Sequence, residues 1–148
     1  MKSPFRNVTP VRRRMMSAIR SKNTKPEKLV RRTLFAWGLR YRVHLSSLPG
    51  KPDIVFTKRR IAIFVHGCFW HAHTDCERWN LPKTRSGYWR EKLENNARRD
   101  RAHLALLRSM GWRTVVIWEC EKPSTWMKRL RRVCSTEPKA TPSTFRKK

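Results

Sequence analysis

The sequence predicts an α/β domain with a single mixed sheet flanked by helices. Three observations predict it: a well-capped helical segment that starts at residue 24, three short strand-like runs between residues 39 and 65, and a helix, strand and helix in turn over residues 87–133. At 148 residues, 39% of them hydrophobic, the chain has the length and composition for one domain with one core. No internal repeat divides it.

Residues 1–23 form a basic arm, in which a short helical stretch from about Pro10 sets Met15, Met16 and Ile19 on one apolar edge and presents Arg12, Arg13 and Arg14. The compact domain spans residues 24–134. Thr24-Lys25-Pro26-Glu27 is a capping-box pattern, and Leu29, Val30, Thr33, Leu34 and Trp37 recur at helical spacing until Gly38 stops the helix. Residues 39–43 alternate as an edge strand does, SSLPGKP (46–52) is turn chemistry, and residues 53–56 form a short strand. TKRR (57–60) then turns the chain back into the central strand, residues 61–65. After an irregular loop over residues 77–87, a long helix follows over 87–110, closed by Gly111. Residues 112–120 (WRTVVIWEC) read as a buried strand, and residues 124–133 as a last helix capped by Ser124 or Thr125. The tail, residues 135–148, is rich in Pro and Thr without periodicity and reads as disordered.

Charge narrows the function. Thirty-six Lys and Arg stand against ten Asp and Glu, a formal charge of +26, and residues 1–60 hold seventeen basic residues but only two acids, Glu27 and Asp53. Such an uneven excess points to a polyanionic partner, for which nucleic acid fits best. The longest uninterrupted apolar run, residues 61–65, is five residues, far short of a membrane span, and no segment has the form of a signal peptide. The expected location is therefore cytoplasmic, at the nucleoid. Four cysteines with histidines among them then indicate a metal site rather than disulfides.

The chemistry concentrates in VHGCFWHAHTDC, residues 65–76, which holds three histidines, two cysteines, a Phe-Trp pair and one Asp. Cys68-x4-His73-x2-Cys76 supplies three donors, whereas structural tetrahedral Zn²⁺ wants four. Cys120 is the natural fourth, ending a strand that can lie beside the one leading into Cys68; His71 and Cys134 are the alternatives. Asp53 opens an apolar strand next to a tight turn, where it can hold a hard cation such as Mg²⁺ for phosphodiester hydrolysis or merely cap the turn. Glu27 and Asp100 are the other candidate carboxylates, although the arginines flanking Asp100 offer it ordinary salt bridges.

The phrases SLPGKPDIVF, IFVHGCFWHAH, SGYWREKLENN, RDR and LLRSMGWRTVVIWEC, in this order, closely resemble the very short patch repair (Vsr) DNA mismatch endonucleases, over residues 15–133. The resemblance implies a variant of the restriction-endonuclease fold, with residues 24–134 as the endonuclease domain. It further implies cleavage of one strand beside a T:G mismatch with Mg²⁺, and a structural zinc. By that resemblance Asp53 is the catalytic Mg²⁺-binding aspartate, His71 and His66 the active-site histidines, Glu27 the helix glutamate and Asp100 the helix aspartate near the site. Cys68, His73, Cys76 and Cys120 match the zinc ligands, and Phe69, Trp70 and Trp89 the aromatics wedged into the base stack. Two positions depart from the family pattern: one extra residue separates His73 from Cys76, and Val65 stands where threonine is usual. If Val65 offers Mg²⁺ only its main-chain carbonyl, that change is harmless.

The expected mechanism has zinc fixing the loop so that Phe69 and Trp70 face the bases and His71 the scissile phosphate, with His66 stabilising charge or assisting the leaving oxygen. The expected partner is duplex DNA with a T:G mismatch, bound by a monomer; proteins of the mismatch-repair pathway are candidate partners. Two alternatives remain at this level: a zinc-stabilised, non-catalytic binder of distorted DNA, and a general restriction-type nickase of the same fold.

Overall fold

A computed structural model describes residues 22–136. The helix expected from about Pro10 and the tail beyond residue 136 lie outside the described residues. The described elements are α1 (Lys25–Ala36), β1 (Arg42–Val43), β2 (Ile54–Phe56), β3 (Ile61–His66), α2 (Ser86–Ser109), β4 (Arg113–Trp118) and α3 (Pro123–Ser135). The four strands form one mixed sheet in the order β1-β2-β3-β4, antiparallel except for the parallel β3–β4 pair. The expected α/β architecture is present.

Local chemistry starts α1 as expected: the Thr24 hydroxyl accepts the Glu27 N–H at 3.4 Å, and Gly38, at φ +79, ends the helix in the left-handed region. Val30 and Leu34 are its buried face. Because the Gly38 and Leu39 amides are spent closing α1 on Phe35 and Leu34, the chain becomes extended only later, and the edge strand shrinks from residues 39–43 to Arg42–Val43.

Strand β3 is the apolar centre, with Ile61, Ala62, Ile63 and Phe64 all buried. Its alternation feeds two layers. Ile61 and Ile63 pack with Ile54, Val115 and Ile117 under α1 and α3, where Val30, Leu34, Trp126 and Leu130 close the core. Ala62 and Phe64 face the other way, with Val55, toward Leu107 of α2 and Trp112. Burying each such Ile or Leu fully is worth about 1.5–3 kcal/mol, so this two-sided sheet is where the fold's stability resides.

Two expectations need correction. The 112–120 segment is not a buried strand along its length: β4 is an outer strand, and of its own residues only Val115 and Ile117 are buried, with Trp112 buried just before it. Beyond Trp118 the chain turns, because the Glu121 carboxylate accepts the Trp118 N–H at 3.0 Å while the Glu121 N–H returns to the Trp118 carbonyl at 3.0 Å. Cys120 therefore sits in a turn beyond the strand. Neither Ser124 nor Thr125 caps α3: the cap is Lys122, without a side-chain bond, and Pro123 opens the helix. Proline's fixed φ suits the first helical position, which moves the start one residue upstream. The helix also runs to Ser135.

Candidate active site and metal centre

Strand ends deliver the site. Asp53 immediately precedes β2, which runs antiparallel to β3, so its carboxylate lies beside the far end of β3 and accepts the Val65 N–H at 2.7 Å. Glu27, in the first turn of α1, is 2% exposed. Its side chain does not return to Thr24 to complete a capping box. Instead it accepts from Arg31 at 3.1 Å and meets His44 Nε2 at 2.5 Å. Possible ligand atoms of Glu27, His44 and Asp53 all lie within 4.8 Å of one another. Burial pushes the Asp53 carboxyl up to about 6; the Val65 N–H opposes that rise and the neighbouring Glu27 charge adds to it.

The last residue of β3 brings the second group. His66 is 5% exposed, and its ring lies parallel to that of His71, with centroids 3.7 Å apart and planes 3° from parallel. Burial, reinforced by the charge of His71, pushes His66 down to about 3, so the ring is neutral at working pH. His71 Nδ1 meets the Asp100 carboxylate of α2 at 2.6 Å. Burial works against the Asp100 charge, yet that bond and the His71 field bring its carboxyl below the usual range. The flanking-arginine explanation for Asp100 is thus replaced by a histidine partner.

The third group gathers Cys68, His73, Cys76 and Cys120, whose ligand atoms lie within 4.8 Å of one another. The loop after β3 winds tightly to do this: the His73 N–H reaches the Cys68 carbonyl at 2.9 Å, and the Cys76 N–H reaches the His73 carbonyl at 3.2 Å. Thr74 and Asp75, which separate His73 from Cys76, are exposed in that turn. Cys120 arrives beside Cys68 because β3 and β4 are parallel and end together, with His66 opposite Trp118. Glu119 helps, accepting the Cys68 N–H at 3.0 Å. Burial pushes the Cys68 thiol up to about 12, so that without a cation in place of its proton it stays neutral. An S₃N donor set of this kind, with Cys68 buried and the other three half-buried, fits a tetrahedral metal ion. Cys134 and His71, the alternative donors, are elsewhere: Cys134 packs in the core under α3, and His71 pairs with Asp100.

One ring joins these groups. Trp118 stacks on His73, with centroids 4.1 Å apart and planes 7° from parallel, and presents its edge to His66 at 5.2 Å and His71 at 6.4 Å. Neither this contact nor that of His44 was visible in the sequence, where Trp118 fell within the expected buried strand 112–120 and His44 carried no signal. If His73 holds a metal ion, Trp118→Leu is expected to lower single-turnover cleavage by about 10- to 100-fold, the usual effect of losing a group that orients a ligand. Trp118→Phe, which keeps a stacking face, should recover most of the loss.

Phe69, Trp70 and Trp89 form a half-buried trio with centroids 5.0 to 6.0 Å apart, two from the loop between Cys68 and Cys76 and one from the first turn of α2. Lys92 Nζ lies 5.8 Å from the Trp70 ring and 5.6 Å from the Trp89 ring. Asn96 fastens the loop to α2 by donating to the Trp70 carbonyl at 3.1 Å.

Paired carboxylates at the mouth of a mixed sheet, a histidine–aspartate couple beside them and stacking rings in strongly basic surroundings define the class: a divalent-metal nuclease of DNA. Comparison with known proteins agrees. Residues 8–78 match the family model described as DNA mismatch endonuclease Vsr. The chain is 52% identical over 115 residues to the type II nicking enzyme V.XorIIP of Xanthomonas oryzae, covering 77% of this chain and 84% of that protein. It is 43% identical over 109 residues to the DNA mismatch endonuclease Vsr of Escherichia coli, covering 74% and 69%. The chain belongs to the Vsr DNA mismatch endonuclease family, and is an endonuclease, a hydrolase acting on DNA.

Proposed function

We propose that this enzyme nicks one strand of duplex DNA next to a T:G mismatch and so starts very short patch repair, with Mg²⁺ at Asp53 and Zn²⁺ held by Cys68, His73, Cys76 and Cys120. The observation that carries the reading is convergence: Asp53, Glu27, the His66–His71–Asp100 group and the aromatic trio all gather at one end of the sheet. Asp53 is the metal-binding carboxylate, with Glu27 beside it and the Val65 carbonyl as a further oxygen. The magnesium ion, when bound, supplies Lewis-acid neutralisation of charge on the reacting phosphate.

The chain's own groups do the rest. Asp100 fixes His71 through Nδ1, which leaves the opposite ring nitrogen to take the proton of the attacking water and later release it to bulk solvent, and it stabilises the imidazolium once formed. His66, neutral and buried, walls the other face of His71 and offers an N–H rather than a positive charge. Phe69, Trp70 and Trp89 enter the base stack; unstacking costs a few kcal/mol and least at a mispair, so the wedge favours mismatched sites.

A closed circular plasmid carrying a single T:G mismatch, incubated with the enzyme and Mg²⁺, should become nicked in one strand while its fully paired twin stays closed. Equal nicking of both would support the general nickase reading, which several relatives named type II nicking enzymes favour. A mobility shift without cleavage would support the non-catalytic binder. The basic arm, residues 1–23, is proposed to close over bound DNA. If about eight phosphates are neutralised, log K should fall against log salt with a slope of about −7, measured by fluorescence anisotropy. The proposed form is a monomer acting at the nucleoid in the cytoplasm, with docking by mismatch-repair proteins. Among the described residues no helix is long and apolar enough to cross a membrane.

A further inference from the structure

His44 has no part in the mechanism above, yet it lies against the groups that do. It follows β1, and the ladder continues one step beyond the paired Val43 and Ile54, with the His44 N–H on the Asp53 carbonyl at 3.1 Å. Register therefore sets this imidazole directly across from the catalytic aspartate. Its Nε2 meets Glu27 Oε1 at 2.5 Å, and its side chain is only 16% exposed. Three elements, α1, the end of β1 and the start of β2, thus bring one nitrogen and two carboxylates within 4.8 Å of one another.

We propose that His44 is a ligand of the catalytic cation site, and that its imidazole makes the Glu27–Asp53 pair a mixed nitrogen and oxygen site that takes Mn²⁺ in preference to Mg²⁺. The inference rests on the reading of Asp53 as the cation-binding carboxylate and adds a donor to it. Mg²⁺ demands hard oxygen ligands and gains little from imidazole, whereas later divalent ions gain from nitrogen in the Irving–Williams order. A purely structural pairing of His44 with Glu27 is the rival. It explains the geometry less completely, because Glu27 already has the Arg31 guanidinium at 3.1 Å as its counter-charge, and Asp53 has no such partner.

The test uses the full chain with its cysteine cluster loaded and no DNA. Mn²⁺ is titrated by the electron paramagnetic resonance of the free ion, and Mg²⁺ is measured by competition. His44→Gln, which exchanges nitrogen for an amide oxygen, should weaken Mn²⁺ about tenfold and Mg²⁺ less than about threefold. Pulsed resonance of bound Mn²⁺ should show coupling to imidazole nitrogen in the native protein and in His71→Ala, but not in His44→Gln. An unchanged ratio of Mn²⁺ to Mg²⁺ affinity in His44→Gln, or nitrogen coupling that survives in it, overturns the proposal. If that variant fails to fold, absence of nitrogen coupling in the native protein overturns it equally. Asp53→Asn separates the two readings: retained Mn²⁺ affinity there defeats the cation site itself, whatever His44 does.

Discussion

Asp53→Asn is expected to lower single-turnover nicking of a T:G duplex by about 10³-fold or more, since it removes the carboxylate proposed to hold the cation that neutralises phosphate charge. The same change should stabilise the Mg²⁺-free protein. The Asp53 carboxyl is pushed by burial from 3.8 up to about 6 in the folded state. A folded value above the unfolded one means that the stabilising contribution is complete below about 4 and is lost as pH rises through about 6. At pH 7 the native state therefore carries a charge that burial disfavours, which Asn lacks. Urea denaturation without Mg²⁺, the cysteine site kept loaded, should show the variant more stable by about 2 kcal/mol at pH 7 and by little at pH 4. Wild-type nicking rates in the variant would sink the assignment, and a stability difference independent of pH would sink its electrostatic cause.

The second large effect is expected on emptying the cysteine cluster. Elemental analysis of the purified protein should find about one zinc per chain, and Cys68→Ala should lack it. That variant should lose nicking by about 10²-fold or more, because metal binding is also the folding energy of the loop that carries Phe69, Trp70 and His71. Hydrogen exchange should locate the damage. Amides of residues 67–80 should lose protection, whereas the layer of Ile54, Ile61, Ile63, Leu34 and Leu130, on the opposite side of the sheet from the loop's anchor, should keep it. A native protein with no tightly held transition metal would remove the premise altogether.

Much of the fold was legible because it is written locally. Thr24 marks a helix start through its hydroxyl and Gly38 and Gly111 helix ends through their positive φ, and the apolar runs of β2 and β3 announce a buried sheet without reference to neighbours. What escaped is set by pairing across the chain. Whether residues 112–120 are buried on one face or two depends on β4 being outermost, which no local pattern encodes. The α3 cap was misread because Ser124 and Thr125 carry the usual capping side chains while Pro123 decides the start through its ring.

The site divides in the same way. Cys68, His73 and Cys76 are legible by spacing, and Cys120 follows once β3 and β4 are parallel. Glu27 and Asp53, twenty-six positions apart, had no sequence reason to meet. The β1–β2 register that sets His44 opposite Asp53 rests on two residue pairs, too short a signal to read from alternation. Trp118 was hidden by its own apolarity: a tryptophan ending a strand announces core, and nothing nearby announces that its face belongs to His73 and its edge to the histidine pair.

That shared indole also makes the two halves of the site answer to one another. The rings of His66 and His71 meet a side chain that also stacks on His73, so whatever draws the four sulfur and nitrogen donors together, Cys68 and Cys120 lying fifty-two positions apart, also bears on the histidine pair. Loss of order among those donors is therefore expected to reach the histidine pair before it reaches the layer of Ile54, Ile61 and Leu130.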